Sequence, residues 1–361
     1  MRNTTVPKRY SASLRNLFAR ENAGIAIFVV GLFILCSLTS ESFLRPRNVT
    51  TVLRQISVLG ICAFGGTLVL LVGNIDLSIG SCAAFTGIVT AALIQRLGLS
   101  IPIACVLGVL SGGAVGLLNG AILTQIGIPS IVTTIGTMTL FRGLSYVVCG
   151  SGDAASSGII NLPKAFAWIG SGQAGFLPIS VLFTVAVFLI LFLLVDKMPL
   201  GRHVYSVGSN EEAALISGIN VDLVKVLMFV VSGLCAGIGG VLSASRMNSG
   251  QPTALSGLEI DALTAAVLGG VSTVGGKGKL TGVIFGVLTI GMLQNWLVLM
   301  NVEYFYQLVI KGGVLIAAVL IDLLRVNRAV EHKEVAALSF KGQSLPENEE
   351  TSAQGSKRGN E

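Results

Sequence analysis

Charge is scarce in this chain: only 12% of its residues are Asp, Glu, Lys or Arg, about half the share of a soluble domain. Over 361 residues that excludes an ordinary water-covered surface. Histidine is rarer still, with His203 and His332 alone. No H-E-x-x-H zinc motif can be written, and a Ser-His-Asp triad has little to be built from. The six cysteines (36, 62, 82, 105, 149 and 235) show no C-x-x-C spacing and sit within or beside apolar runs. They read as small packing residues, with no metal set and no redox pair. A G-x-x-x-x-G-K-[ST] sequence is also missing. The nearest stretch, GGVSTVGGKGK (269–279), has the wrong spacing and ends an apolar run, so the chain does not hydrolyse ATP by itself. Its glycines suit a tight turn anchored by Lys277 and Lys279.

What is plentiful is apolar sequence, 52% hydrophobic residues with 45 glycines. Stretches long enough to cross a hydrocarbon core as helices recur along the chain. They fall near 22–40, 53–73, 78–96, 101–124, 130–150, 177–195, 223–243, 259–274, 280–299 and 305–323. The fold class expected is an all-α polytopic membrane protein with about ten transmembrane helices. The first run (23–38) is one of many and follows a basic arm, so it reads as a span and not as a cleaved leader. Three regions follow: a basic cytoplasmic arm (1–21), a membrane domain (22–325) and a polar tail (326–361) expected to be disordered.

The net charge of +6 orients the chain and is no nucleic-acid signal. With the N-terminus in the cytoplasm, sixteen of the 24 Lys and Arg residues fall on the inner side, which places both termini inside. Arg45 and Arg47 run against this bias. Two loops exceed turn length. The outer one (151–176) contains NLPKAFAWIG, suited to an interfacial helix with Trp168 at headgroup level; the inner one spans 196–222. Gly112, Gly116 and Gly120 repeat at helical spacing, as do the pairs Gly233/Gly237 and Gly282/Gly286, marking faces where helix backbones approach closely.

Two polar stretches raise functional questions. In VGNIDLSIGS (72–81), Asn74 and Asp76 face water if the stretch is an inner loop, with Asp76 capping a helix that begins near Leu77. Alternatively the helix is broken at membrane depth beside a cavity, and Asn74, Asp76 and Ser78 line the route of a hydroxyl-rich solute. The inner loop reads PLGRHVYSVGSNEEAALISGINVDLVK (199–225). Ser209 and Glu212 form a capping-box pattern, a helix over about 210–217 follows, and Gly218 suits its left-handed end. Ala213, Ala214, Leu215 and Ile216 have no core of their own to join. The helix either lies on the protein's own surface or docks into a partner's groove. Asn119 lies on the glycine face and either bridges helices or lines the route. Asn295 is a further route candidate; Gln294 points ~100° away from it. Arg142 reads as a structural anchor, Lys311 as a snorkelling lysine, and 245–261 as a docking surface or a connector.

The run E-A-A-x-x-x-G (Glu212, Ala213, Ala214, Gly218) resembles the coupling-loop signature of ABC-importer permeases. The chain from about 25 to 325 resembles the permeases of the ribose, xylose, arabinose and galactose importer group. The likeness is carried by NIDLSIGS, GLLNGAIL and IPSIVTTIGTMTLFRGL (within 116–144), GRHVYSVGSNEEAALISGI (201–219), ASRMNSGQPTALSGLEIDALTAAVLGGVSTVGGKGKLTG (244–282) and FYQLVIKG (305–312). The resemblance implies a type II importer-like permease fold in the bacterial inner membrane, paired with a second copy or a paralogue. It implies a cytoplasmic ABC ATPase that uses the ATP, a periplasmic sugar-binding protein, and no cofactor on this chain. It makes 196–222 the coupling loop, with the helix entered at Ser209, contacts from Asn210, Glu211, Glu212, Ala213 and Ala214, and a turn at Gly218. One departure is Gly73-Asn74 where the family commonly has Gly-Gly, an extra amide that alters what the route accepts. The rival from another class is an ion-coupled secondary transporter. That design places paired carboxylates inside the bundle, and here only Asp76 stands there, with Glu259 and Asp261 near an outer boundary. An intramembrane enzyme lacks its motifs.

Overall fold

The structure is a computed structural model that describes residues 23–150, 158–320 and 322–323. The expected basic arm and polar tail lie outside the described residues. The chain divides into two units, Met1–Ala318 and Val319–Glu361, and the helical bundle belongs to the first. Its helices are α1 (Ala23–Thr39), α2 (Pro46–Leu71), α3 (Ile79–Gln95), α4 (Ile101–Ala121) and α5 (Ser130–Cys149). Further along the chain come α6 (Lys164–Ser171), α7 (Ile179–Phe192), α8 (Pro199–Ser209), α9 (Glu211–Ile216) and α10 (Val221–Met247). The set ends with α11 (Leu258–Leu268), α12 (Leu280–Leu299) and α13 (Tyr304–Leu320). Among the described residues, strand is confined to two-residue pairings, such as Ile159–Ile160 against Ser249–Gly250.

Six described helices are long and apolar enough to cross a membrane: α2, α4 with its π-helical extension to Ile126, α5, α7 with its extension to Lys197, α10 and α12. Helices α1, α3 and α13 are apolar but shorter. The polytopic helical class therefore holds, while among the described residues the expected ten crossings are not reached by length and composition. The clearest difference is α11. A span was expected over 259–274, but the helix stops at Leu268 and, at ~1.5 Å per residue, reaches ~16 Å, half of a ~30 Å hydrocarbon core. Gly269 and Gly270 end it, the latter at φ 86°. Helix α2 departs the other way. It begins at Pro46, not near 53, because a proline at the first helical position loses no hydrogen bond.

Burial separates the centre from the rim. In α2 and α10 the most apolar window is 78% and 67% buried, against 28% in α5 and α7, so the first two form the core and the last two face outward. Helix α10 packs along α2, α3 and α4, and its glycines explain how. A Cβ on Gly116 would stand 2.9 Å from the Val230 Cα, one on Gly237 2.9 Å from the Val109 Cα, and one on Gly120 2.8 Å from the Val226 Cα. The repeats Gly112/Gly116/Gly120 and Gly233/Gly237 are thus the α4–α10 crossing itself, whereas Gly286 of the third pair meets the Ala265 backbone of α11. The cysteines pack as expected: five are buried, Cys105 is half-buried and all are free thiols. Helix α6 forms where an interfacial helix was expected, with Phe166 turned in and Trp168 61% exposed. The Ser245 hydroxyl bonds it to α10, donating to the Phe166 carbonyl and accepting from Gly170 N at 2.7 Å.

Candidate functional site

The break after α2 is not a solvated loop. Gly73 turns at φ 79°, and residues 74–78 then run without helix into α3. Asn74 and Asp76 are each 8% exposed and Ser78 is 1% exposed, so the chain buries the groups that a plain loop would have hydrated. Buried polar groups need partners, and Asp76 has three. Its Oδ1 accepts from the Ser78 backbone N–H at 2.9 Å and from the Ser78 hydroxyl at 2.6 Å. Its Oδ2 accepts from the Ser232 hydroxyl on α10 at 2.9 Å. Asp76 thus does not cap the next helix, which begins at Ile79 with Ser78 as its N-cap; it holds that cap residue from two positions ahead.

Ser78 carries the network onward, accepting from the Asn119 amide of α4 at 2.8 Å. Asp76, Ser78 and Asn119 come together with Ser232, which the sequence reading missed. One unmet acceptor remains: Asn119 Oδ1 is buried without a hydrogen-bond partner. Asn74 stays local, donating to the Val72 carbonyl at 3.3 Å. Asn295 stands apart from this group. It exchanges paired amide bonds of 2.9 Å with Asn48 near the far end of α2, where it ties α12 to α2.

The break also touches the 196–222 segment. Gly276 N donates to the Leu71 carbonyl at 3.0 Å, and the Tyr205 hydroxyl donates to the Gly278 carbonyl at 2.9 Å. The glycine turn 269–279 is thus wedged between the end of α2 and α8. A Cβ on Gly275 would lie 2.7 Å from the Gly73 Cα, and one on Gly208 2.6 Å from Gly276 N. Helix α8 itself was not expected; Pro199 starts it, and Gly201 and Gly208 fit it against neighbouring backbone.

The short helix beyond it differs in one respect from the capping-box expectation. Ser209 is the last residue of α8, and the N-cap is Asn210, whose side-chain oxygen accepts from Ala213 N at 2.9 Å. Extended backbone at Asn210 (φ −161°) separates α8 from α9, so Ser209 is already spent on the preceding helix. The other end is as expected. Gly218 takes φ 82°, and the bonds Gly218 N to Leu215 O (3.0 Å) and Ile219 N to Ala214 O (3.1 Å) close a Schellman motif. Ala214 is buried, whereas Leu215 is 64% and Ile216 87% exposed. Glu211, Glu212 and Ala213 are exposed too, and Glu211 pairs with Lys225 on α10 at 2.6 Å.

The remaining polar residues also find places. Arg142 donates to the Pro252 and Ala254 carbonyls at 2.6 and 2.9 Å, fixing the turn before α11 as an anchor would. Lys311 does not snorkel. It pairs at 3.0 Å with Asp261 Oδ2, which also accepts from Gln294 at 2.7 Å. The adjacent amides of α12 thus point to different partners, as their spacing required.

The chain resembles three sugar permeases over most of its length. It is 41% identical to the ribose import permease protein RbsC of Bacillus subtilis, covering 81% of this chain and 91% of that one. It is 39% identical to the L-arabinose ABC transporter permease protein AraH of Azospirillum brasilense (85% and 88% covered) and 38% identical to the D-allose transport system permease protein AlsC of Escherichia coli (82% and 90% covered). No solved structure matches significantly. This kinship does not favour an ion-coupled transporter. Residues 48–319, from the first turn of α2 into α13, match the family described as branched-chain amino acid transport system, permease component, and the chain belongs to that family.

Proposed function

We propose that the chain is the membrane-spanning permease of an ATP-driven importer that moves a monosaccharide, a pentose or hexose, through a path opened between two states. Three relatives named for ribose, arabinose and allose transport support the substrate class. The chain sits in the bacterial inner membrane with both termini in the cytoplasm. Helices α1, α3 and α13 cross as well, and α11 with the glycine turn after it makes the remaining pass. It pairs with a second copy or a paralogue, receives its sugar from a periplasmic binding protein and carries no cofactor; the ATP is used by a separate ATPase subunit.

The observation that carries this reading is α9. A six-residue helix capped at both ends, with Leu215 and Ile216 uncovered, is too short to be stable for its own sake. It makes sense as a knob seated in a groove of the ATPase. Asn210, Glu211, Glu212 and Ala213 would border that contact, Ala214 would pack beneath it, and Ser209 and Gly218 would set its two ends. Closure of the ATPase would then move α8, the glycine turn and the 72–78 break together, because they are bonded in series. Asn74, Asp76, Ser78 and Asn119 line the path at that end, and Asn295 serves helix pairing.

The test is recovery of the ATPase with a tagged chain purified from membranes. Wild type should bring it down. Glu212→Arg should not, and nor should Ile216→Asp, which alters a side chain that touches little of its own protein. Equal recovery in all three would sink the assignment of α9.

A further inference from the structure

A second polar feature lies at the opposite end of α2 from the Asp76 network. Between α2, the end of α10, the 255–258 turn, α11, α12 and α13 is a cavity of about 230 Å³. Its polar lining is Gln55, Arg246, Ser256, Asp261, Gln294 and Lys311, over a floor that includes Val58 and Leu258. This is below the ~300–1,000 Å³ of pockets for drug-sized ligands, so it suits one small molecule.

Two groups in this lining are free to meet a ligand. Arg246 is half-buried, and among the described residues its guanidinium makes no hydrogen bond or ion pair. A guanidinium has five N–H donors, and here they are free for a ligand. Asp261 is 8% exposed, and both of its bonds, from Lys311 and Gln294, fall on Oδ2. Among the described residues Oδ1 has no donor.

The mixture of groups narrows the ligand. Arg246 and Lys311 oppose a cation, and the Asp261 carboxylate opposes an anion. A neutral polyol fits both, because every hydroxyl donates and accepts at once. Its hydroxyls can donate to Asp261 Oδ1 and accept from Arg246, while its C–H face lies on Val58 and Leu258. We propose that this cavity is a transit site for a monosaccharide, entered before the solute reaches the Asp76 end. The proposal rests on the importer reading above and adds a place where the permease itself discriminates among sugars. The two polar stations stand ~24 Å apart along α2 from Gln55 to Leu71, farther than one sugar spans, so the solute would move from one to the other.

The test uses the intact importer in its own cells, with a tagged chain as the only copy, and labelled D-ribose, L-arabinose and D-allose as probes. Arg246→Gln and Gln294→Ala should each lower uptake by about tenfold or more, the size of one lost charge-assisted hydrogen bond. They should also change the ratio of pentose to hexose uptake, with ATPase recovery unchanged. A purely structural role would lower all three sugars in proportion. Ser256→Trp, which fills the cavity from its exposed turn and leaves the Asp261–Lys311 pair alone, covers the case in which the first two variants fail to fold. Uptake and sugar ratio within about twofold of wild type in the folded variants would overturn the transit site while leaving the importer reading intact. Wild type carrying none of the three sugars would overturn the sugar reading itself, and the transit site with it.

Discussion

Gly116→Ala isolates the α4–α10 crossing. One methyl would be added 2.9 Å from the Val230 Cα and 2.8 Å from the Phe229 carbonyl carbon, with the Phe229 oxygen closer still. Carbon contacts settle at ~3.5–4.0 Å, so the two helices would have to part by nearly 1 Å. The obstructing atoms are backbone, and no rotamer change can relieve them. Overpacking of this kind costs about 1–3 kcal/mol, and rigid neighbours put the expected value in the upper half of that range. In detergent, the loss of the monodisperse chromatographic peak on heating should shift down by about 4–10 °C. Gly136→Ala is the matched control, since nothing lies within 4 Å of a Cβ there. It should leave the midpoint unchanged or raise it slightly, because alanine is the better helix former by ~1 kcal/mol. Equal midpoints for the two variants would refute the argument, for the crossing would then have slack to absorb a methyl.

Two other substitutions probe the polar parts. Asp76→Ala strips the acceptor from Ser78 N, Ser78 Oγ and Ser232 Oγ at once; at ~1–3 kcal/mol for each buried donor left unmatched, the heat-stability midpoint should fall further than for Gly116→Ala, measured in the same assay. Asn210→Ala removes the cap of α9, worth ~1 kcal/mol, and should weaken ATPase recovery, with Asn210→Ser restoring most of it.

Much of the bundle was legible because membrane helices announce themselves by composition, and backbone contact between them by glycine spacing. Gly112, Gly116 and Gly120 could be assigned to a helix crossing since periodicity alone fixes the face. Gly218 was equally readable, because a left-handed residue ending a helix is nearly always glycine. The failures share a different cause. Ser232 lies 156 positions from Asp76 with nothing local to mark it among the other serines of α10. Lys311 reads as a snorkelling residue because its carboxylate partner sits on another helix, and the cavity it helps line exists only once five helices and a turn have packed. Ser209 and Asn210 are adjacent capping residues, and choosing between them required knowing that α8 exists. That helix escaped notice because Gly201 and Gly208 lower its propensity; their value lies in close approach to Val195 and Leu71, a fact of tertiary structure.

The glycine contacts along α10 also bear on motion. Surfaces that meet through side chains can slide, because side chains change rotamer. Where α4 and α10 meet backbone to backbone, any shift along the axis drives a carbonyl into its neighbour. The pair therefore travels as one piece, like a wedge keyed to its block, and α3, keyed to α10 through Gly240 and Gly87, travels with it. Opening and closing must take place at the edges of that piece, where α2 breaks at Gly73 and where α11 stops short. A crosslink between α4 and α10 should then be harmless to transport, and one between α2 and α11 should stall it.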